Sequence, residues 1–245
     1  MQKIQKLYRS EYSGESVVTD MVYKDGSWSF SREQVDNSVV NNQISSKAVV
    51  IGNGLSRKNF DMSAIARHRG GLLASGALQS YGCNALYRDF SPNFLIANGD
   101  AMLAEISASG YTANHIVYAN ANAILDFPGK FYLIPQDPSW NAGAIATYLA
   151  CFDGHKQVYL LGFDGVDDVS DGYNIYKGSN AYPEPSYGYS EDFWVQAMME
   201  VFTTYSDVDF VRVMPSVDYR MPEAWKYVVN LRQISFNDFV LEADL

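Results

Sequence analysis

Residues 48–56 read Ala48-Val49-Val50-Ile51-Gly52-Asn53-Gly54-Leu55-Ser56. Four apolar residues in a row, three of them β-branched, mark a strand buried on both faces, because a half-solvated strand alternates. Strands of that kind belong to parallel sheets covered by helices. The glycines that follow let the chain turn sharply and bring its backbone close to whatever lies beyond the strand end. Arg57 stands where a dinucleotide fingerprint needs its third glycine, and no Gly-Lys-Ser/Thr follows, so neither that fingerprint nor a P-loop is present. The bare pattern fits a tight strand-to-helix turn and a phosphate-approaching loop equally well. In the second case backbone amides supply donors, Ser56 a hydroxyl, and Asn53 an amide for a base or ribose.

Outward from this stretch, strands are expected at residues 94–97, 115–118, 130–134, 157–162 and 209–213. Helices are expected at 60–68, 100–108, 141–152 and 191–205. Strands separated by helices predict an α/β fold with a doubly wound, mostly parallel sheet over residues 47–245. Ligands of such sheets bind beyond the carboxyl ends of the strands. Residues 1–46 read differently. Alternating β-formers at 17–23 and 27–31 flank Asp25-Gly26, a strong hairpin signal, and the polar stretch 39–46 reads as a linker. A lone hairpin needs a surface, so this appendage packs on its own domain, on a second copy or on a partner.

The balance of 18 basic and 28 acidic residues in 245 gives a net charge of −10, which argues against a non-specific grip on DNA or RNA. The 18 Tyr and 13 Phe exclude a disordered chain. Two cysteines, Cys83 and Cys151, exclude a disulfide framework and a four-thiolate zinc site, and both read as small core hydrophobes. No apolar run approaches the ~20 residues that span a bilayer, and the polar start lacks a signal peptide. A soluble, cytoplasmic protein is expected.

Further chemistry is offered by Gly162-Phe163-Asp164 at the end of the strongest strand, where Asp164 is placed for a metal, a hydroxyl or a helix cap. The calcium-like run at 167–172 lacks the required spacing. Residues 172–189 carry Tyr173, Tyr176, Tyr182, Tyr187 and Tyr189, and fit either a binding lid or a loop folded over the sheet end. The three histidines, His68, His115 and His155, form no triad or metal motif; His115 is the acid/base candidate among them, with a structural role as its alternative.

Taken together, AVVIGNGLSRKNFD at 48–61, YGCNALY at 81–87, and the helix and strand between Asn141 and Asp164 resemble bacterial α-2,3-sialyltransferases of glycosyltransferase family 42. The opening is also similar to 6-hydroxymethylpterin pyrophosphokinase-like proteins, and GYNIYKGSNAYP at 172–183 resembles small bacteriophage proteins of this superfamily. The resemblance implies a Rossmann-like fold and a nucleotide or nucleotide-sugar ligand, in a host cytoplasm or a virion. It places Gly52, Asn53, Gly54, Ser56, Asn84, Asn98 and Gly143 at the nucleotide. It gives Tyr173 and Tyr176 to the leaving-group phosphate, and leaves Asp164, Asp168 or Asp171 as the substitute for a base. Leu55 stands in place of a proline, Asn141-Ala142 in place of Thr-Ser, and no histidine follows His155, where the family keeps its base. Three functions are therefore open: a metal-independent glycosyltransferase using a CMP-type donor, an inactive phage structural or interaction protein with the hairpin facing its partner, and an Mg-dependent pyrophosphokinase-like enzyme.

Overall fold

A computed structural model describes residues 2–9, 15–36, 45–67, 78–134, 138–164, 174–183 and 191–245. The chain opens with three antiparallel strands, β1 (Gln2–Arg9), β2 (Glu15–Lys24) and β3 (Ser27–Asp36), in that order. Lys24 pairs with Ser27, and Asp25 and Gly26 have φ of 54° and 80°. Two positive φ values in a two-residue loop make a type I′ turn, whose twist suits a hairpin. The hairpin is longer than the alternation indicates, and β1 makes it a three-stranded sheet.

The apolar run beginning the second sheet is β4 (Lys47–Ile51), followed by β5 (Gln79–Cys83), β6 (Phe94–Ile96), β7 (Ile116–Ala119), β8 (Tyr132–Leu133), β9 (Gln157–Leu161), β10 (Asp209–Met214) and β11 (Leu231–Ser235). Their order is β11-β10-β9-β4-β5-β6-β7-β8, with every pair parallel. From β4 the chain winds outward to β8, returns to β9 on the other side of β4, and winds outward again. The switch point lies between β4 and β9, and there an α/β sheet opens a crevice at its carboxyl ends.

The helices are α1 (Met62–Arg67), α2 (Asp100–Ser109), α3 (Ala121–Asp126), α4 (Ala142–Phe152), α5 (Glu191–Thr204) and α6 (Phe236–Glu242). Phe202 of α5 packs on Phe210 at 4.8 Å, and Phe239 of α6 packs on Tyr159 at 4.8 Å. Phe210 is in register with Val158, the neighbour of Tyr159 in β9. Successive side chains point to opposite faces, so α5 and α6 cover opposite faces of the sheet. Residues 48–51 are fully buried between those layers, which for Val49, Val50 and Ile51 contributes about 1.5–3 kcal/mol each.

Two strands and two helices of this domain lie outside the expected set: β5, β11, α3 and α6. β5 carries Gln79 and Ser80, polar yet fully buried. Ser80 is satisfied by Asn93, whose Oδ1 accepts from both the Ser80 amide and its hydroxyl. The expected linker is corrected at its end. Ser45 is buried, its carbonyl faces His155 Nδ1 at 2.5 Å, and the Ser46 carbonyl accepts from the amides of Lys156 and Gln157. Residues 37–44 lie outside the described residues. Both cysteines are free and buried, and burial pushes the Cys83 thiol up to about 12.

Candidate functional site

The loops that leave β4 and β9 are sewn to each other. The Gly52 amide donates to the Leu161 carbonyl at 2.8 Å and the Gly54 amide to the Gly162 carbonyl at 3.0 Å. A Cβ on Gly52 would lie 2.5 Å from the Gly162 oxygen, and one on Gly54 would lie 2.6 Å from that oxygen and from Asp164 Cγ. Gly162 itself has φ +76°. The glycines at 52, 54 and 162 are thus required by backbone meeting backbone, and in this arrangement the amides of Gly52 and Gly54 are engaged within the protein.

Asp164 follows at once. Both its oxygens accept from the Ser56 amide, at 3.1 and 3.3 Å, and Oδ1 also accepts from the Ser56 hydroxyl. Burial raises its pKa above the ordinary carboxylate value, outweighing the Ser56 hydrogen bonds and the nearby Arg212 charge. Arg212, fully buried on β10, donates through Nε to the Phe163 carbonyl at 2.8 Å and through Nη2 to the Asp164 carbonyl. Its Nη1 reaches the Arg220 carbonyl and Gln233 Oε1. Burial lowers its pKa to about 10. Arg212 therefore fixes the 162–164 turn from beneath through its backbone.

Asparagines tie the neighbouring strand ends together. Asn53 Nδ2 donates to the Cys83 carbonyl at 3.1 Å, bridging β4 and β5. Asn84 sits at φ +51° and its Oδ1 accepts from the Asn98 amide at 2.8 Å, bridging β5 and β6. Asn98 Nδ2 in turn reaches the Trp140 carbonyl at 3.1 Å, just ahead of α4. Asn141 caps α4, its Oδ1 accepting from the Ala144 amide at 3.0 Å. Gly143 lies beneath Trp194, whose ring edge would sit 2.9 Å from a Cβ there. Phe163 spans the space between the two halves: its ring edge lies 3.2 Å from a Cβ on Gly52 and 3.5 Å from one on Gly143.

Two polar atoms in this region are buried without a partner among the described residues, Asn53 Oδ1 and Asn141 Nδ2. Sequence reasoning named Asn53 but treated Asn141 only as a replacement for threonine. Its cap position before a small-residue helix was the signal available.

Residues 174–183 form a strap across the ends of β4 and β5. Asn174 bridges to Gly54, and the Ile175 amide donates to the Asn53 carbonyl at 2.9 Å. Tyr176 is buried, with its hydroxyl accepting from Arg57 Nη2 at 3.2 Å. Arg88 donates to Ser179 Oγ at 2.7 Å and to the Asn180 carbonyl at 2.8 Å, while pairing with Glu105 at 2.7 Å. The Tyr182 hydroxyl, pushed up to about 12 by burial, lies among the amides of Asn84, Asn53 and Asn174. The tyrosine-rich segment thus closes over the strand ends where it is described. Tyr173, Tyr187, Tyr189 and the calcium-like run lie outside the described residues.

The structure brings Gly52, Asn53, Gly54, Ser56, Asn84, Asp164 and Tyr176 to one end of the sheet, with Asn98 and Gly143 at its border. His115 and His155 are at the other end, ahead of β7 and β9. His115 stacks on Tyr111 at 3.9 Å, and His155 is fully buried with Nε2 2.9 Å from the Tyr81 hydroxyl. Among the described residues no cluster of three or more His, Cys, Asp or Glu is placed to hold a metal ion, and no helix is long and apolar enough to cross a membrane.

The fold defines a Rossmann-like α/β protein whose switch point lies between β4 and β9. No family model matches the chain, and no curated protein or solved structure matches it.

Proposed function

We propose that the chain binds a nucleotide-linked substrate at the switch point and transfers the sugar of a CMP-type nucleotide sugar without a metal. The observation that carries this reading is the pair of buried, unpartnered atoms, Asn53 Oδ1 and Asn141 Nδ2. Buried polar atoms are nearly always paired, and each one left alone costs about 1–3 kcal/mol. One is an acceptor and the other a donor, which suits a ribose hydroxyl or a base edge. The amides of Ala142 and Gly143, at the start of the 11-residue α4, also have no acceptor among the described residues. A helix start favours negative charge. Asp164, its pKa raised by burial, is the group we assign to take the proton of an acceptor hydroxyl. The resemblance gives Tyr173 and Tyr176 to the leaving phosphate, but the Tyr176 hydroxyl is taken up by Arg57 here, so we leave it out of the phosphate contacts.

A second reading, a non-catalytic descendant that keeps the fold, is favoured by one observation: the Gly54 amide and both Ser56 donors are already spent inside the protein. The test is calorimetric binding of CMP, without and with Mg²⁺, to the wild type and to Asn141→Asp. Aspartate keeps the oxygen that caps Ala144 and replaces the free donor by an acceptor. CMP is expected to bind the wild type without metal and to bind the variant about tenfold more weakly, the loss of one hydrogen bond. Equal binding by both, or none by the wild type, removes the glycosyltransferase reading. A response confined to ATP with Mg²⁺ would turn it to the pyrophosphokinase class.

A further inference from the structure

Arg57 is a buried cation that the reading above leaves unused. It belongs to the short 3-10 turn Leu55–Asn59 just beyond the β4 glycines and is 5% exposed. Nε donates to the Gly52 carbonyl at 2.6 Å and Nη2 to the Tyr176 hydroxyl at 3.2 Å. A guanidinium has five N–H donors, so the greater part of its capacity is unspent among the described residues. Among the described residues no carboxylate lies within ion-pair distance of it. Other arginines nearby are provided for: Arg88 is paired with Glu105, and Arg212 is held by three carbonyls and Gln233.

Among the described residues the link from Arg57 to a carboxylate is relayed, because the Tyr176 hydroxyl it meets also hydrogen-bonds Asp89; burying a cation without a direct ion pair is expensive. The position matters too. The backbone donors that would greet a phosphate in a glycine loop are engaged here, Gly52 on Leu161, Gly54 on Gly162 and Ser56 on Asp164. A negative group entering beside that loop has the guanidinium left to meet it, in the planar, forked geometry that suits phosphate.

We propose that Arg57 is the anion-binding residue of the crevice, receiving the phosphate of the ligand, and that the Tyr176 hydroxyl occupies part of its guanidinium in the free protein. This rests on the reading that the crevice takes a nucleotide-linked substrate. The sequence pattern hides the role, because Arg57 registers there only as the residue that spoils a glycine motif.

Inorganic pyrophosphate and CMP, each titrated calorimetrically against wild type, Arg57→Gln and Tyr176→Phe, test it. Arg57→Gln should weaken pyrophosphate about tenfold or more and flatten the salt dependence of binding. Tyr176→Phe keeps the charge and frees its partner, so pyrophosphate should bind about three- to tenfold more tightly. Wild-type-like binding by a folded Arg57→Gln overturns the proposal, and so does binding by Tyr176→Phe that is no tighter. Should Arg57→Gln fail to fold, Tyr176→Phe decides alone. Pyrophosphate bound through Arg57 with CMP bound no better would sink the nucleotide reading and leave Arg57 standing. CMP bound equally by wild type and Arg57→Gln would do the reverse.

Discussion

Replacing Gly54 by alanine separates a glycine kept for the neighbouring loop from a glycine kept for a ligand. Gly54 has φ −66° and ψ 149°, ordinary extended backbone, so alanine meets no conformational penalty there. The cost is contact. The new Cβ would lie 2.6 Å from the Gly162 carbonyl oxygen and 2.6 Å from Asp164 Cγ. Neither neighbour yields easily: the Gly162 carbonyl holds the Gly54 amide, and Asp164 is held by Ser56 on one side and by Arg212 through its carbonyl. Overpacking of this kind costs about 1–3 kcal/mol. Displacing Asp164 from the Ser56 donors adds about 1 kcal/mol or more. A total near 3 kcal/mol lowers Tm by about 6–12 °C for a chain of this size. Gly143→Ala is the comparison: its main neighbour is the Trp194 ring edge at 2.9 Å, and a helical position favours alanine over glycine by about 0.5–1 kcal/mol. That variant should stay within about 3 °C of wild type. Thermal unfolding followed by circular dichroism measures both. A Gly54→Ala protein that melts with the wild type but no longer binds CMP would refute the packing argument, and would mean that Gly54 serves the ligand.

Asp164 carries a pH signature. Its pKa is raised above the unfolded value of 3.8, so the folded state holds that proton more tightly than the unfolded chain. The resulting stability is fully present below about 3.8 and is lost as pH rises through the folded value. Asp164→Asn should therefore compare worst with the wild type near pH 3–4 and gain on it towards pH 7; a difference that is flat in pH, or runs the other way, contradicts the raised pKa. Ala181, at φ +65°, is a non-glycine residue in left-handed backbone within the strap. Ala181→Gly removes roughly 1 kcal/mol of strain against a similar loss of chain entropy. Tm should move by less than about 3 °C, while exchange of the Gly178 and Tyr182 amides slows or holds; faster exchange there would show that the strap does not sit as described.

The sheet was legible wherever burial leaves an apolar run. Residues 48–51, 157–162 and 209–213 mark β4, β9 and β10 almost to the residue, and these three strands set the switch point. β5 was not legible, because Gln79-Ser80-Tyr81-Gly82-Cys83 shows neither an apolar run nor alternation. Its burial rests on partners far along the chain: Asn93 for Ser80, and Asp153, with which the Tyr81 hydroxyl bonds at 2.7 Å. β11 and α6 escaped for a related reason, since β11 is a half-buried edge strand with Arg232 and Gln233 in its middle. Within the site, strand-end residues such as Asn53 and Asp164 could be named from their positions alone. The connections among them could not, because the Asn84–Asn98 bond and the Ser56–Asp164 pair join loops that only the sheet order brings together.

The same point bears on function. A glycine loop after the first strand of an α/β sheet invites the inference that its amides cradle a phosphate. Here those glycines have a sufficient reason in the second loop, since any Cβ on Gly52 or Gly54 would strike the backbone of Gly162. Their presence is therefore neutral between a working nucleotide site and a retained scaffold. What is not neutral is polarity that the fold leaves unanswered, namely the free atoms of Asn53 and Asn141 and the unspent donors of Arg57. Each residue also serves the scaffold, Asn53 by bridging to Cys83, Asn141 by capping α4 and Arg57 by holding the Gly52 carbonyl, but those tasks leave the second amide atom of each asparagine and part of the guanidinium over. Their coincidence at one switch point, rather than the glycine motif, is what supports the binding function proposed above.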